Sequence, residues 1–491
     1  MDEETPTPSL RPPLQRSASP RDLEPDERDI EKIRKWQQER VAKKLRGEYE
    51  SAITHLSEVI NSNLTTPSQI ASVRIEGAPH TRPSFLRFLI DPLIPPPSPA
   101  NDLETALHSA RHIADVLKRT DIFNSVDAKL ERAKAPLAGK HDVDLVFATK
   151  EKGRFFVKSS TEVGNNEGSA SIVARVRNVF GGAETFEANL SLGTTTRKAF
   201  NATLTAPLTS NLNTYGEMHV FGLERDHSSF ASCTEGLRGA KALLRSGHMF
   251  GGMHEFAYEA VLRHLGGLKP DASLSIREAA GQSIKSSVSH TFVLDNRNDR
   301  LTPTHGFYFK TVHELAGLGG DASFLKSETH GQISRPIFPG VSVSLAARSG
   351  LLWGLNGRTM FSDRFQLGGP VSIRSFRANA MGPRDGSDSV GGELYWAAGL
   401  SVISKIPKKP DWPIKTHIWV NAGRLDNIDQ SRPLSDSIAA TLTKPSVSAG
   451  VGLIYNFDIA RVELNFGLPL VASKSDGSRR GLQVGLGLEF L

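Results

Sequence analysis

From Arg154 to Leu491 the chain alternates apolar and polar residues with a period of two, and it does not return to a helical period. Phe186, Ala188, Leu190 and Leu192 share one parity while Glu187, Asn189 and Ser191 share the other. Val462, Leu464, Phe466 and Leu468 repeat the pattern against Arg461, Glu463 and Asn465. Successive side chains of a strand point to opposite faces, so each such segment is a strand with one greasy and one polar face. About sixteen segments of roughly 9 to 13 residues are present, the length that crosses a hydrocarbon core when tilted. They start near Phe155, Ser169, Glu184, Lys198, Tyr215, Phe230, Gly251, Ser283, Gly306, Ala322, Val341, Gly392, Ile414, Lys444, Ala460 and Leu482. No crossover helices separate them, so neighbours pair antiparallel, and closure into a barrel removes the edges that lipid would leave unsatisfied.

The competing architecture is a soluble β-sandwich or propeller. It would bury Arg175, Arg177, Glu187, Lys415 and His417 between sheets, and no repeat of blade length occurs. A mean hydropathy of −0.28 is no obstacle to a membrane barrel, because only every second residue faces lipid. No run approaches the roughly 18 to 20 apolar residues of a membrane helix.

Before the alternation come two other regions. Residues 1–66 read as a Pro- and Ser-rich disordered tail followed by a charged helix from Arg28 to about Asn61. Residues 67–153 read as a compact α/β domain. It holds a strand Ile70–Glu76, a short helix Pro83–Leu89, a helix capped from Asn101 or Asp102 with Leu103, Ala106, Ala110, Ile113 and Leu117 at helical spacing, and strands Val126–Arg132 and Val143–Thr149. Residues 154–491 are the sixteen-stranded antiparallel β-barrel. The start, Met-Asp-Glu-Glu-Thr-Pro, has neither a basic nor an apolar signal region, so no secretory signal is expected. Cys233, the one cysteine, cannot close an internal disulfide. A net charge of +6 without an aromatic-plus-basic cluster gives no reason to expect a nucleic-acid partner.

One stretch breaks the period, the insert 354–391 after the eleventh strand. Its centre runs Phe365-Gln-Leu-Gly-Gly-Pro-Val-Ser-Ile-Arg-Ser-Phe376, with Gly368 and Gly369 paired and Ile373 and Phe376 bracketing Arg374 and Ser375. A surface loop needs no Ile373 or Phe376. A loop folded back into a polar cavity does, and its arginine then needs an anionic or carbonyl partner.

With an α/β domain, sixteen strands and this insert, the chain resembles the BamA-type outer-membrane barrel-assembly superfamily. In that family POTRA domains precede the barrel, and the sixth loop tucks into the lumen with a Val/Ile-Arg-Gly-Phe signature. Ile373-Arg374-Ser375-Phe376 stands there in this chain, followed by Gly382-Pro383-Arg384-Asp385. Leu294-Asp295-Asn296-Arg297-Asn298-Asp299 with Pro303-Thr304-His305-Gly306 also looks like the family pattern. A single POTRA domain and the cytosolic-looking start are most similar to the mitochondrial branch, the core subunits of the sorting and assembly machinery, in a fungal-like form. The resemblance implies a mitochondrial outer-membrane protein with its POTRA domain in the intermembrane space. It also implies accessory subunits on the cytosolic face, other outer-membrane barrels as neighbours, and β-barrel precursors as clients.

Two departures stand out. The signature glycine is Ser375, which asks for negative φ or a small strain. The positions where the family commonly places carboxylate partners for the arginine are Ser401 and Asn421 here, so the candidate partners are Asn421, Ser401, backbone carbonyls, or the inward-facing Glu393. The closing seam falls between the first strand and the last. Phe155, Val157, Ser159 and Thr161 make the first a poor lipid-facing segment, and glycines weaken the last. Gln483, Gly485, Leu488 and Phe490 on the last strand match the pattern of mitochondrial β-signals, which implies that a precursor displaces this strand and pairs by β-augmentation. The alternatives are a passive pore or polypeptide-translocating channel on the same fold, and a hydrolase. Against the latter, His254-Glu255 lacks a second histidine at zinc spacing and no Gly-x-Ser-x-Gly elbow is present; neither a metal nor a cofactor is expected.

Overall fold

The computed structural model describes residues 27–45, 58–98 and 101–491 apart from 135, 137, 140, 165–166, 249, 407–411, 457–460 and 488–490. The expected disordered tail before residue 27, part of the charged helix (46–57), and the gate residues Leu488 and Phe490 lie outside the described residues. The helix is present over Glu27–Leu45 and again at 58–62. No described helix is long and apolar enough to cross a membrane.

The contacts divide the chain into two compact units, residues 1–76, 93–114 and 127–148 in one, and 77–92, 115–126 and 149–491 in the other. The turn at 77–82 belongs to the larger unit because its backbone is bonded there: Arg82 N donates to Gly181 O (2.8 Å), and His80 O accepts from Asn178 Nδ2 (3.2 Å).

Over residues 69–151, β1 (Gln69–Glu76) pairs in parallel with β3 (Asp142–Glu151), which lies between β1 and β2 (Phe123–Arg132). The helix Leu103–Arg119 starts where Asp102 Oδ1 accepts from Thr105 N (3.0 Å), and its Ala106, Ala110 and Ile113 are buried at the predicted helical spacing. The order strand, helix, helix, strand, strand is the one read from the sequence.

The larger unit is dominated by one sixteen-stranded antiparallel sheet in which each strand pairs with its neighbour in sequence. Its first eight strands are β4 (Phe155–Gly164), β5 (Glu167–Arg177), β6 (Thr185–Gly193), β7 (Thr196–Pro207), β8 (Thr214–Asp226), β9 (Thr234–His248), β10 (Gly252–Gly266) and β11 (Gly281–Asp295). Three more follow, β12 (Gly306–Gly320), β13 (Phe324–Phe338) and β14 (Val341–Gly354). The long insert carries only the two-residue strands β15 (Arg384–Asp385) and β16 (Asp388–Ser389). The circuit then resumes with β17 (Leu394–Lys405), β18 (Ile414–Asp426), β19 (Ser446–Asn456), β20 (Arg461–Val471) and β21 (Gly481–Gly487). β4 and β21, the two ends of the sheet, come within 8 Å of each other.

One strand limit differs from the sequence reading. The strand expected from Phe230 begins at Thr234, because Phe230 O accepts from Ser389 N of the insert (2.8 Å) and 227–233 close a turn. The last strand, expected over Leu482–Leu491, is described over Gly481–Gly487 and paired throughout that stretch, and Leu491 is buried. The outward parity is apolar and exposed, as in Phe155, Leu190, Phe256, Ile333, Ile418 and Phe466, while the inward parity holds buried polar groups such as Glu217, Lys285, Asn421 and Glu463.

Candidate functional site

The insert between β14 and β17 lies inside the barrel. Ile373 and Phe376 are fully buried in one cluster with Leu352, Leu367, Met381, Leu425 and Leu491. Between them the Arg374 guanidinium is wholly enclosed, and it needs anionic or carbonyl acceptors on every side. Its Nε and Nη2 donate to the two Glu463 oxygens on β20 (2.9 and 3.2 Å), while Nη1 donates to Asn421 Oδ1 on β18 (3.0 Å) and to Leu491 O (2.8 Å). The Trp419 ring lies 5.4 Å from the guanidinium carbon. From the other side Glu463 also pairs with Arg461, whose Nη1 donates to Leu301 O (3.0 Å) in the turn between β11 and β12. Thr302 of that turn accepts from Lys415 (2.7 Å) and Asn456 (2.7 Å). Two loops from opposite ends of the barrel thus converge on one carboxylate.

A second anchor holds the insert to the opposite wall. Arg263 on β10 donates to both oxygens of Asp363 (2.9 and 2.8 Å), a buried bidentate pair. Counting from β4, β10 is strand 7 and β20 is strand 15 of 16, half a circuit apart. The twelve residues from Asp363 to Arg374 therefore form a bar across the lumen.

The bar also grips the last hairpin. Ser375 N donates to Gln483 Oε1 (2.7 Å) and Gln483 Nε2 donates back to Phe376 O (3.0 Å). Arg377 N donates to Gly477 O (2.8 Å), Arg479 N to Ser375 O (2.8 Å) and Leu491 N to Val371 O (3.3 Å). Lumen-facing glycines make room: a Cβ on Gly423 would stand 2.4 Å from Ile373 Cδ1, and one on Gly467 2.3 Å from Ser375 Oγ. At the two ends of the sheet the pairing differs. β4 is laddered to β5 along its length and β21 to β20, yet among the described residues no ladder joins β4 to β21. Phe155 and Val157 on β4 are exposed.

Residues 178–490 match the Omp85 superfamily domain. A SAM50-like protein of Schizosaccharomyces pombe is 36% identical over 452 residues, covering 90% of this chain and 95% of the relative. The chain belongs to the Omp85 superfamily, on its SAM50 branch. A sorting and assembly machinery component 50 homolog of Mus musculus is 31% identical over 400 residues, covering 80% of this chain and 85% of the relative. BamA from Haemophilus ducreyi lacking POTRA domains 1–3 shares the fold at a TM-score of 0.70 and 17% identity, over 86% of this chain and 84% of that one.

In this Omp85 chain the loop residues Gly368, Gly369, Ile373, Arg374, Ser375 and Phe376 all come together in the lumen. Of the candidate partners, Asn421 and a backbone carbonyl, that of Leu491, accept from Arg374, while Glu393 and Ser401 are engaged elsewhere. Glu393 instead accepts from Thr359 Oγ1 (2.5 Å) and Ile428 N (3.0 Å), which fasten the end of the insert. Ser401 is buried on β17 but pairs across the sheet with Trp419, a position away from Asn421, which pairs with Gly399. Alternation fixes a side chain's face and not its height, which is why both looked eligible. Glu463, the carboxylate that binds Arg374, shares its polar parity with Arg461 and Asn465, and nothing else in the sequence singles it out. Ser375 takes φ +66°, the strained alternative of the two expected, and its buried hydroxyl has no hydrogen-bond partner. Gly485 pairs with Glu463 and brings no side chain into the lumen there. Ser159 and Thr161 lie on β4, whereas Gln483 points inward to the bar. Among the described residues no cluster of three or more His, Cys, Asp or Glu could hold a metal.

Proposed function

We propose that this chain is the insertase of a mitochondrial sorting and assembly machinery. It recognises the β-signal of β-barrel precursors and folds them into the outer membrane through a lateral gate between β4 and β21. The single observation that carries the reading is the state of those two strands. β4 and β21 are the two ends of the sixteen-strand order and come together, and β21 is secured on its inner side by the bar through Gln483. A free edge is a template for another strand, and pairing supplies main-chain hydrogen bonds that lipid cannot. Kinship with the SAM50-like proteins supports the same assignment.

The mechanism follows from the division of labour. The bar fixes β21 from the lumen, so opening the seam does not unravel the C-terminal hairpin. A precursor's last strand pairs with β4, further hairpins join it, and the new sheet closes and leaves. Residues 67–153 act as a POTRA domain on the intermembrane-space side, and accessory subunits dock on the cytosolic side. A passive or polypeptide-translocating pore is the less favoured reading, because the bar and the 296–305 turn both occupy the lumen.

Single cysteines placed along β4 test the gate in a Cys233→Ser background. They should crosslink to the final strand of a porin-like precursor in one register. Failure in every register would count against the gate.

A further inference from the structure

The outward face of β4 to β11 is not smoothly convex. It holds a groove of about 1320 Å³ that begins at Ser159 and Thr161 on the edge strand and extends to Gln282 on β11. Its orientation follows from pairing. Arg263 bonds to Asp363 in the lumen, so Leu262 faces away, and Leu262 is paired through Arg238, Gly222, Phe200 and Leu190 to Ile172. The floor is therefore apolar and outward, with the Phe200 ring lying against Gly222. A Cβ there would meet that ring at 2.7 Å, so the glycine is what lets the wall dip.

Into this apolar row projects Arg238, with Lys198 and His264 one level nearer the rim. Several lumen-facing cations nearby have a carboxylate, as in Arg175 with Glu187, Arg245 with Glu255 and Lys285 with Glu314. Arg238 and Lys198 have none among the described residues, and Glu224, opposite Lys198, lies 4.0 Å from Arg197. A cation on a lipid-facing wall needs an acceptor at the headgroup level, reached by snorkelling.

We propose that the groove holds an anionic phospholipid, with an acyl chain over Phe200, Gly222 and Leu262 and its phosphodiester on Arg238 and Lys198. The charge pattern selects the ligand, since a hydrocarbon bed rimmed by unpaired cations suits a molecule that is apolar at one end and anionic at the other. The site adjoins β4, so the lipid lies beside the gate strand. This inference rests on the membrane-barrel reading above.

The test is native mass spectrometry of the full chain after reconstitution in phosphatidylcholine bilayers with and without phosphatidylglycerol. The wild type should retain phosphatidylglycerol, and Arg238→Gln and Lys198→Gln should each weaken retention about fivefold. Arg335→Gln, on β13 near the other rim, should leave it unchanged. Excess inorganic phosphate should not displace the lipid; displacement would reduce the site to a phosphate site and overturn the assignment. Equal retention by Arg238→Gln would overturn it as well, as would a photoreactive side chain at Phe200 that captures polypeptide instead of lipid. Heat-dependent gel mobility reports insertion of every variant. An inserted barrel that ignores the lipid overturns this proposal alone, whereas a chain that inserts in neither bilayer overturns the barrel reading with it.

Discussion

Arg374 is enclosed completely, and its charge is matched within the protein by Glu463, Asn421 and Leu491 O. Removing one member of such a pair strands the other charge, at about 3 to 5 kcal/mol. Arg374→Ala should therefore free the bar and lower the yield of assembled client barrels, measured by precursor insertion into isolated membranes. Glu463→Ala should do at least as much, since it strands Arg461 too. The double variant should resemble either single variant rather than their sum, because the two residues act as one unit. Ser375 invites the opposite change. Its positive φ and its unpartnered buried hydroxyl are both costs, so Ser375→Gly should stabilise the barrel by about 1 kcal/mol in thermal unfolding. An unchanged or lower melting temperature would show that glycine's added chain entropy outweighs the relieved strain.

At the scale of elements, the strands were legible because a half-buried strand must alternate, and the alternation from Phe155 onward leaves no other periodicity to choose. The insert was legible as an inward loop from Ile373 and Phe376, side chains that water would not favour. Depth was not legible. Ser401, Asn421 and Glu463 share the inward face, and only register, set by the whole ladder, puts two of them within reach of one guanidinium. Leu491 shares the inward parity of Gln483 and is buried, but alternation alone does not show that its carbonyl meets Arg374. The bar's fit to its bed of glycines gives a prediction at this scale. Gly423→Val would drive a side chain into Ile373 and should expose the insert to protease from the lumen while leaving the smaller unit intact. The turn at 80–82 gives another. Burial pushes the Glu151 carboxyl up, but hydrogen bonds from Thr81 and His80 outweigh this and hold it below its ordinary value. A depressed carboxylate stabilises above its unfolded value, about 4.3, and loses that contribution as pH falls through the folded value. The protection of amides in residues 77–92, relative to their intrinsic exchange at each pH, should therefore fall on acidification below about pH 4, and Glu151→Gln should flatten the dependence.

For the whole molecule, a sheet of sixteen strands has two ends, and membrane insertion normally requires that they seal. Here a bar anchored on opposite walls keeps the cylinder's form and holds its last hairpin from within, so the seam need not carry that load. The central claim is that clients enter through this seam. The most direct measurement is the rate of client-barrel insertion by a chain carrying one cysteine on β4 and one on β21, in a Cys233→Ser background, oxidised and then reduced. The account predicts that the oxidised, locked barrel inserts nothing and that reductant restores the rate; a locked barrel that inserts clients as fast as the reduced one would contradict it.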